Sequence, residues 1–271
     1  MSGVVTRRAL LLGGAGAAGV AVAGALAWPL VPDRLKRRVG LGPDPYVPDA
    51  PEGQIRLETV WSEARGKDVE LFTAVPAGYG DGAGLPVVVI LHGATATPAD
   101  YQRFGFGKFL TASVEAGSPP FVLAGADGGV RKWEPQPDGD DPQRMVLEEM
   151  PDWLAERGFA WTRRAVWGWS MGGYGALRLA QVEPGWAMAT AAFSPAVSGG
   201  DSVFQDVSAL EDQLLGIWCG TRDMFYDAVR DLVDLLPTRP AVQSFSPGGH
   251  TRAYWNDHTL DAFEFLAAQI A

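Results

Sequence analysis

A serine enclosed by two glycines is the residue whose setting most directly indicates chemistry. The segment Gly168-Trp169-Ser170-Met171-Gly172 follows an apolar run that begins at Ala165, and residues with helical propensity continue from Ala176. A strand that turns at once into a helix, with serine at the turn, is typical of a nucleophile elbow. Side chains at Gly168 and Gly172 would collide with the neighbouring strand and helix. The alternative is a tight glycine–serine turn with no chemical role, and partner residues decide between the two.

An acid must follow the serine if this is a catalytic triad, because the order in such proteins is serine, acid, histidine. The apolar run ending at Cys219 is followed by Gly220-Thr221-Arg222-Asp223, which puts Asp223 just past a predicted strand. The acids beyond it belong to the next predicted helix, where solvated surface charge is the better interpretation: Asp227, Asp231 and Asp234. Asp223 is therefore the predicted acid.

The base has few candidates, because the chain contains only three histidines. His250 follows a predicted strand through Pro247-Gly248-Gly249, a loop free enough to direct an imidazole at Ser170, and it is the predicted base. His258 falls near the start of the last helix, where a surface or capping role is expected. His92 ends the third predicted strand, where we expect it to pack or to orient a loop.

Oxyanion donors are expected from two places. The helix beginning at Met171 would direct free N–H groups and its positive dipole end at Ser170, where an oxyanion would form. In proteins with a nucleophile elbow, the loop after the third strand supplies a second backbone amide to the oxyanion hole. In this chain that amide would belong to Ala94 or, as the less favoured choice, to Gly93.

Strands that alternate with helical segments must position these residues. Two runs with alternating apolar residues predict an antiparallel pair, and solidly apolar runs predict central strands. Together they predict an α/β-hydrolase fold: a mostly parallel central sheet with helices on both faces. Any cap domain over the active site should be minimal, because the segment after the sixth predicted strand, Ser194 to Leu214, has only 21 residues. The predicted strands are Gln54–Trp61, Asp68–Pro76, Pro86–Leu91, Phe121–Ala124, Ala165–Trp169, Thr190–Phe193, Ile217–Cys219 and Val242–Ser246, and the last helix spans about Asp257–Ile270.

The N-terminal residues have the pattern of an export signal. Arg7-Arg8 precede a Gly- and Ala-rich stretch that carries no charge from Ala9 through Pro32, which is typical of a twin-arginine signal peptide. Ala25-Leu26-Ala27 fits cleavage after Ala27. A membrane anchor is the alternative, because a stretch of this length can span a bilayer. Its low hydrophobicity favours the signal peptide, and either interpretation of residues 1–27 predicts an exported, extracytoplasmic or envelope-associated protein.

The chain after the signal divides into a linker and one domain. Prolines recur at Pro43, Pro45, Pro48 and Pro51, which predicts an extended linker over residues 28–52. Residues 53–271 are numerous enough for a single α/β-hydrolase catalytic domain with its own core.

The net charge argues against two classes of binding partner, and the cysteine content argues against an internal disulfide. The net charge is −10, and residues 1–38 carry six basic groups and one acid, so residues 39–271 carry −15. This argues against nucleic acid and against electrostatic docking on anionic lipid, leaving membrane association to the N-terminal segment. The single cysteine, Cys219, cannot form an internal disulfide and is expected to be a buried core thiol.

Four blocks of sequence resemble the putative-esterase family of α/β-hydrolases, which includes esterase D (S-formylglutathione hydrolase) and the secreted mycolyltransferase antigens of mycobacteria. They are Leu91-His92-Gly93, Gly168-Trp169-Ser170-Met171-Gly172-Gly173, Cys219-Gly220-Thr221-Arg222-Asp223-Met224-Phe225 and Gly249-His250-Thr251-Arg252-Ala253-Tyr254-Trp255. The resemblance covers about residue 54 to the C-terminus. It implies hydrolysis of small-molecule or lipid esters, or acyl transfer, through an acyl-serine and with no cofactor.

The predicted function is therefore that of an exported serine esterase. An acyltransferase acting on cell-envelope acceptors and a non-catalytic envelope-binding protein of the same fold are the alternatives. Trp133 and Trp255 are candidate substrate-binding residues, although packing of the last helix is the favoured role for Tyr254-Trp255. The acids of Asp138-Gly139-Asp140-Asp141 lack the spacing of a calcium loop, and Asp141-Pro142 fits better as a helix N-cap and first-turn proline. No metal is predicted.

Overall fold

The computed structural model of the protein describes residues 45–271. The predicted signal or anchor (1–27) and the first part of the predicted linker (28–44) lie outside the described residues. No helix within residues 45–271 combines the length and apolarity needed to cross a membrane.

An eight-stranded sheet forms the centre of the described chain, in the order β1-β2-β4-β3-β5-β6-β7-β8. The first pair is antiparallel, β2 is antiparallel to β4, and every later pairing is parallel. This confirms the predicted α/β fold, and each predicted strand is present within two residues of its predicted start. The strands are β1 (Ile55–Ser62), β2 (Lys67–Ala74), β3 (Val87–Leu91), β4 (Val122–Ala126), β5 (Arg164–Trp169), β6 (Thr190–Phe193), β7 (Leu215–Gly220) and β8 (Val242–Ser246).

Helices lie in the connections between parallel strands, which need a crossover, and two more follow β8. They are α1 (Asp100–Arg103), α2 (Phe106–Glu115), α3 (Pro142–Arg144), α4 (Met150–Glu156), α5 (Met171–Val182), α6 (Ser202–Gln205), α7 (Tyr226–Leu235), α8 (Arg252–Asp257) and α9 (Thr259–Ile270), with a 3₁₀ turn at Val207–Leu210. Asp141 caps α3 by accepting from the Arg144 amide at 2.8 Å, which confirms its predicted N-cap role.

The helix predicted to end near Arg157 is interrupted. A π-helical segment, Met145–Glu149, lies between α3 and α4. Pro151 follows it in the first turn of α4, and a proline has no N–H to donate to the preceding turn. A π segment re-registers the hydrogen bonds at such a point, and composition alone does not indicate it.

The strands at the centre of the sheet are buried on both faces, so their side chains divide alternately between two cores. Val88 and Ile90 of β3 join an aromatic core beneath α2 and α9, whereas Val87 and Val89 join a core on the other face. This is why β3 is apolar at every position instead of alternating. The parallel strands β3–β8 end along one side of the sheet, and the loops that leave these ends carry the site residues.

The compact unit begins earlier than the predicted domain. It spans Pro45–Ala271, so residues 45–52 belong to it and not to a free linker. Pro48 and Ala50 are buried, and the Asn256 side-chain amide donates to the Tyr46 carbonyl oxygen at 2.8 Å. Proline content carried no information about what the backbone of residues 45–52 contacts.

Candidate active site

Ser170 lies at the junction of β5 and α5 with a backbone that serine rarely adopts. Its φ is 57° and its ψ is −121°. Such a conformation costs on the order of 1–3 kcal/mol and is retained only where the surroundings enforce it. A Cβ on Gly168 would come within 2.1 Å of the Gly172 carbonyl oxygen, and a Cβ on Gly172 within 1.8 Å of the Leu91 carbonyl oxygen. Both flanking glycines are therefore required for the elbow to close.

The structure brings Ser170, His250 and Asp223 together from the ends of three different strands. The Ser170 Oγ lies 2.9 Å from His250 Nε2, and His250 Nδ1 lies 2.9 Å from Asp223 Oδ2. The imidazole can donate its Nδ1 hydrogen to the carboxylate while Nε2 accepts from the serine hydroxyl. That tautomer is the one in which His250 can remove a proton from Ser170.

Asp223 is held by contacts that suit a carboxylate. Its side chain has no solvent exposure, and its Oδ1 accepts from the Phe225 amide at 2.9 Å. The Phe225 ring stands against His250, with 5.2 Å between ring centroids. A backbone amide therefore holds Asp223 in place. Asp223 and the Phe225 ring together hold the His250 imidazole.

Two backbone amides are placed near Ser170 without acceptors of their own. The Met171 amide is at the first position of α5, and the Ala94 amide lies in the turn after β3. Neither donates to a backbone oxygen within residues 45–271. The β3 turn approaches the elbow closely, since a Cβ on Gly93 would lie 3.2 Å from the Ser170 Cβ. Both amides are therefore available to an oxyanion.

His92 is buried and satisfied on both ring nitrogens. Its Nδ1 lies 2.9 Å from the Gly93 carbonyl oxygen, and its Nε2 accepts from the Gly128 amide at 2.9 Å. A ring that donates through Nδ1 and accepts through Nε2 is neutral, so its 3.3 Å approach to Asp127 is not an ion pair. His92 joins the loops that follow β3 and β4.

Trp133 does not line a cleft, which corrects the prediction made for it. Its side chain is fully buried, and its Nε1 donates to the His92 carbonyl oxygen at 3.1 Å. Gly128 and Gly175 leave the space that the ring fills, because a Cβ on either would lie 2.3–2.5 Å from it. The loop after β4 turns this tryptophan inward, so it has no surface to offer a substrate.

Trp255 is largely buried, which fits the packing role favoured for Tyr254-Trp255 better than the candidate role in substrate binding. Only 8% of its surface is exposed. Its ring edge meets His250 at 4.9 Å between centroids and 89° between planes, and its Nε1 donates to Ser194 Oγ at 3.0 Å. Trp255 therefore packs against the His250 imidazole.

A polar network beside α5 is a feature that sequence reasoning missed. The Lys132 ammonium lies 2.6 Å from Asp201 Oδ1 and 4.4 Å from the centre of the Tyr174 ring. The Tyr174 hydroxyl donates to Glu134 Oε1 at 2.6 Å, and burial together with that carboxylate raises the pKa of Tyr174. Lys132 also has a positive φ of 56°. No local pattern predicts this network, because its members lie on loops after β4 and β6 and on α5.

Two of the acidic side chains that follow Trp133 form ion pairs with basic residues of the protein. Asp140 pairs with Arg65 and, at 3.0 Å, with Lys67, while Arg131 pairs with Asp138 at 2.6 Å. Within residues 45–271 there is no group of three or more His, Cys, Asp or Glu side chains arranged to hold a metal ion.

The strand order, the elbow after β5 and the serine–histidine–aspartate set define an α/β-hydrolase fold. A family model described as Putative esterase matches residues 62–266. The chain therefore belongs to the putative-esterase family and is an esterase-type hydrolase.

Solved structures of several esterases share the fold. A ferulic acid esterase from Anaeromyces mucronatus is 16% identical with a TM-score of 0.67, over 82% of this chain and 92% of that one. An S-formylglutathione hydrolase from Agrobacterium tumefaciens is 17% identical with a TM-score of 0.66, over 81% and 96%. MPT51 from Mycobacterium tuberculosis is 16% identical with a TM-score of 0.62, over 81% and 100%. A comparison with curated protein sequences gives no match.

Proposed function

We propose that this protein is an exported serine esterase that hydrolyses carboxylic esters through an acyl-Ser170 intermediate. The observation that carries the proposal is the continuous path from Asp223 through His250 to the Ser170 hydroxyl, with both contacts at 2.9 Å. A small-molecule or lipid ester is the substrate class, and the chemistry needs no cofactor.

The first half of the reaction acylates the serine. His250 Nε2 takes the Ser170 proton as Oγ attacks the ester carbonyl carbon, and Asp223 stabilises the imidazolium that forms. The resulting oxyanion is stabilised by the Ala94 and Met171 amides and by the dipole of α5. His250 then gives its proton to the alcohol oxygen as the carbon–oxygen bond breaks, which leaves the acyl group on Ser170.

The second half repeats these steps with water as the nucleophile. His250 removes a proton from water, the hydroxide attacks the acyl carbon, and the proton returns to Ser170 as the carboxylic acid leaves. A non-catalytic binding protein of the same fold has no need for this set of contacts, so their retention supports the enzyme. The apolar, uncharged stretch after Arg7-Arg8 supports export by the twin-arginine route.

The test replaces the nucleophile and, as a control, a second serine that also contacts an imidazole. Ser170→Ala should lower p-nitrophenyl ester hydrolysis by on the order of 10³-fold or more, and a fluorophosphonate should no longer label the protein. Ser246→Ala removes a hydroxyl 3.0 Å from His258 Nε2 and should leave both readouts intact. An active, labelled Ser170→Ala variant would contradict the proposal.

A further inference from the structure

A half-buried arginine, Arg252, follows His250 by two residues at the start of α8. The Arg252 guanidinium carbon lies 4.0 Å from the centre of the Phe104 ring, 4.4 Å from Trp169 and 4.9 Å from Trp255. Phe106 contributes a fourth ring at 5.6 Å. A planar guanidinium stacks well on aromatic faces, which attract cations through their quadrupole.

The enclosed part of the Arg252 guanidinium is not stabilised by a hydrogen bond within residues 45–271. Its Nη1 atom is enclosed and has no hydrogen-bond partner within residues 45–271. Burial lowers the pKa of Arg252, although an arginine remains protonated at neutral pH. An enclosed N–H group without a polar partner is costly, and contact of the guanidinium with the aromatic rings offsets part of that cost.

Two of the four rings belong to the candidate active site. Trp169 is the residue before Ser170, and Trp255 packs against the His250 imidazole with 4.9 Å between ring centroids. Trp169 and Trp255 also contact one another, with 6.4 Å between their centroids. Arg252 therefore stacks on the aromatic support of both the nucleophile and the base.

We propose that Arg252 is a positioning residue that keeps His250 within hydrogen-bonding reach of Ser170 by clamping Trp169 and Trp255 together. It makes no hydrogen bond to Ser170 or His250 within residues 45–271, and it acts through the two tryptophans that it contacts. The inference rests on the proposed function, because it assigns Arg252 a role in the reaction of Ser170.

Arginine suits this role better than lysine or an aliphatic residue. A guanidinium presents two flat faces and stacks on several rings at once, whereas an ammonium is a compact, strongly hydrated point charge. Lysine at 252 would keep the charge but lose the stacking plane. The tryptophans would then relax, and displacing a base by about 1 Å can cost up to about 10²-fold in rate.

The chain contains a matched control for the substitution. Arg164 also stacks on two tryptophans, with its guanidinium carbon 5.0 Å from Trp161 and 4.8 Å from Trp186. Its Nε is likewise buried without a partner within residues 45–271. However, Arg164 is the first residue of β5, at the opposite end of the strand from Ser170. A substitution of Arg164 therefore measures what the loss of an arginine–tryptophan stack does when the stack is remote from Ser170.

The experiment compares Arg252→Lys with Arg164→Lys in steady-state ester hydrolysis, fluorophosphonate labelling rate and Tm. Arg252→Lys should lower kcat and the labelling rate by about tenfold or more, with KM within about twofold of the wild type. Arg164→Lys should lower Tm to a similar extent while kcat stays within about twofold. An unchanged kcat in Arg252→Lys, an equal loss in Arg164→Lys, or a loss confined to KM would each overturn the proposal.

A milder variant covers the case in which Arg252→Lys does not fold. Phe104→Leu removes the nearest ring of the clamp from a half-buried position and leaves Arg252, Trp255 and His250 in place. It should lower kcat by about threefold with KM unchanged, and a wild-type kcat would contradict the proposal. Ser170→Ala separates the two hypotheses: if it stays active the proposed function fails, and if it is inactive while the Arg252 and Phe104 variants are normal, only the clamp fails.

Discussion

His258 contacts Ser246 in almost the same way that His250 contacts Ser170. The His258 Nε2 lies 3.0 Å from Ser246 Oγ, and its Nδ1 lies 3.3 Å from Asp261 Oδ2. The corresponding distances around His250 are both 2.9 Å. Distances alone therefore describe two serine–histidine–aspartate sets in one domain.

The surroundings of the two sets separate them. Asp261 keeps 64% of its side chain exposed, whereas Asp223 has none. Ser246 is the last residue of β8, and no helix begins at the residue after it, in contrast to Ser170. Ser246 lacks the positive φ of Ser170, so the second set is expected to hold α8 and α9 against the sheet.

The first prediction separates the two histidines and two of the acids by activity. Asp223→Asn and His250→Ala should each reduce kcat/KM by on the order of 10³-fold or more, while Asp227→Asn and His258→Ala should be nearly silent. Asp227 is 85% exposed on α7, which supports its use as a control. Because only a neutral His250 can accept the Ser170 proton, kcat/KM should fall at acid pH. An inactive His258→Ala beside an active His250→Ala would reverse the assignment.

The second prediction concerns Trp133, which is now placed in the core. Trp133→Ala should lower the free energy of unfolding by about 3–5 kcal/mol, because it opens a cavity that Gly128 and Gly175 cannot fill. Trp61→Ala, at a position 52% exposed, should change it by about 0.5 kcal/mol or less. Urea unfolding measures both values. Equal effects would show that the Trp133 pocket is not packed as described.

The fold and the serine, acid and base were accessible from sequence because local patterns determine them. Val87–Leu91 is apolar throughout since it is buried on both faces, and Asp223 and His250 follow strands directly. The orientation of Trp133 was not accessible, because it depends on space left at Gly175, 42 positions further along the chain. The same holds for the Arg252 clamp, whose rings come from α2, β5, α8 and the two-residue connection between α1 and α2.

The third prediction concerns the single cysteine. Cys219 is buried in β7, as expected from its apolar neighbours, and burial raises the pKa of its thiol to about 12. Only the thiolate reacts, so a disulfide reagent should not modify the native protein at pH 8. The same reagent should modify one thiol per chain in guanidinium chloride. Rapid stoichiometric labelling of the native protein would mean that β7 is accessible.

The fourth prediction concerns export, on residues outside the described part of the chain. Replacing Arg7 and Arg8 with lysines should retain the precursor in the cytoplasm, because the twin-arginine route requires the arginine pair. Cell fractionation and N-terminal sequencing provide the readout. A full-length protein found only in membranes would favour the anchor, and unchanged export of the lysine variant would argue against this route.

The acceptor of the acyl group is the remaining question for the proposed reaction. Hydrolysis and acyl transfer are identical up to the acyl-Ser170 intermediate and diverge when water or an alcohol attacks it. A transferase must hold its acceptor firmly enough to compete with water at about 55 M. Aromatic faces are one means of holding a sugar, yet Trp133 is fully buried, and Tyr254 and Trp255 are 4% and 8% exposed. These rings pack the protein and are not free to bind a sugar.

The fifth prediction is therefore that water is the acceptor. Purified residues 45–271, the compact unit, should convert an activated short-chain ester mostly to free acid even with millimolar trehalose or glycerol present. Mass spectrometry of the products distinguishes free acid from acylated sugar or acylated glycerol, and Ser170→Ala gives the uncatalysed background. Because hydrolysis depends on an acyl-enzyme open to solvent, raising the alcohol concentration should shift the products only in proportion to its share of the solvent. A saturable rise in acylated product at millimolar alcohol, abolished in Ser170→Ala, would instead reveal an acceptor site and make the enzyme an acyltransferase.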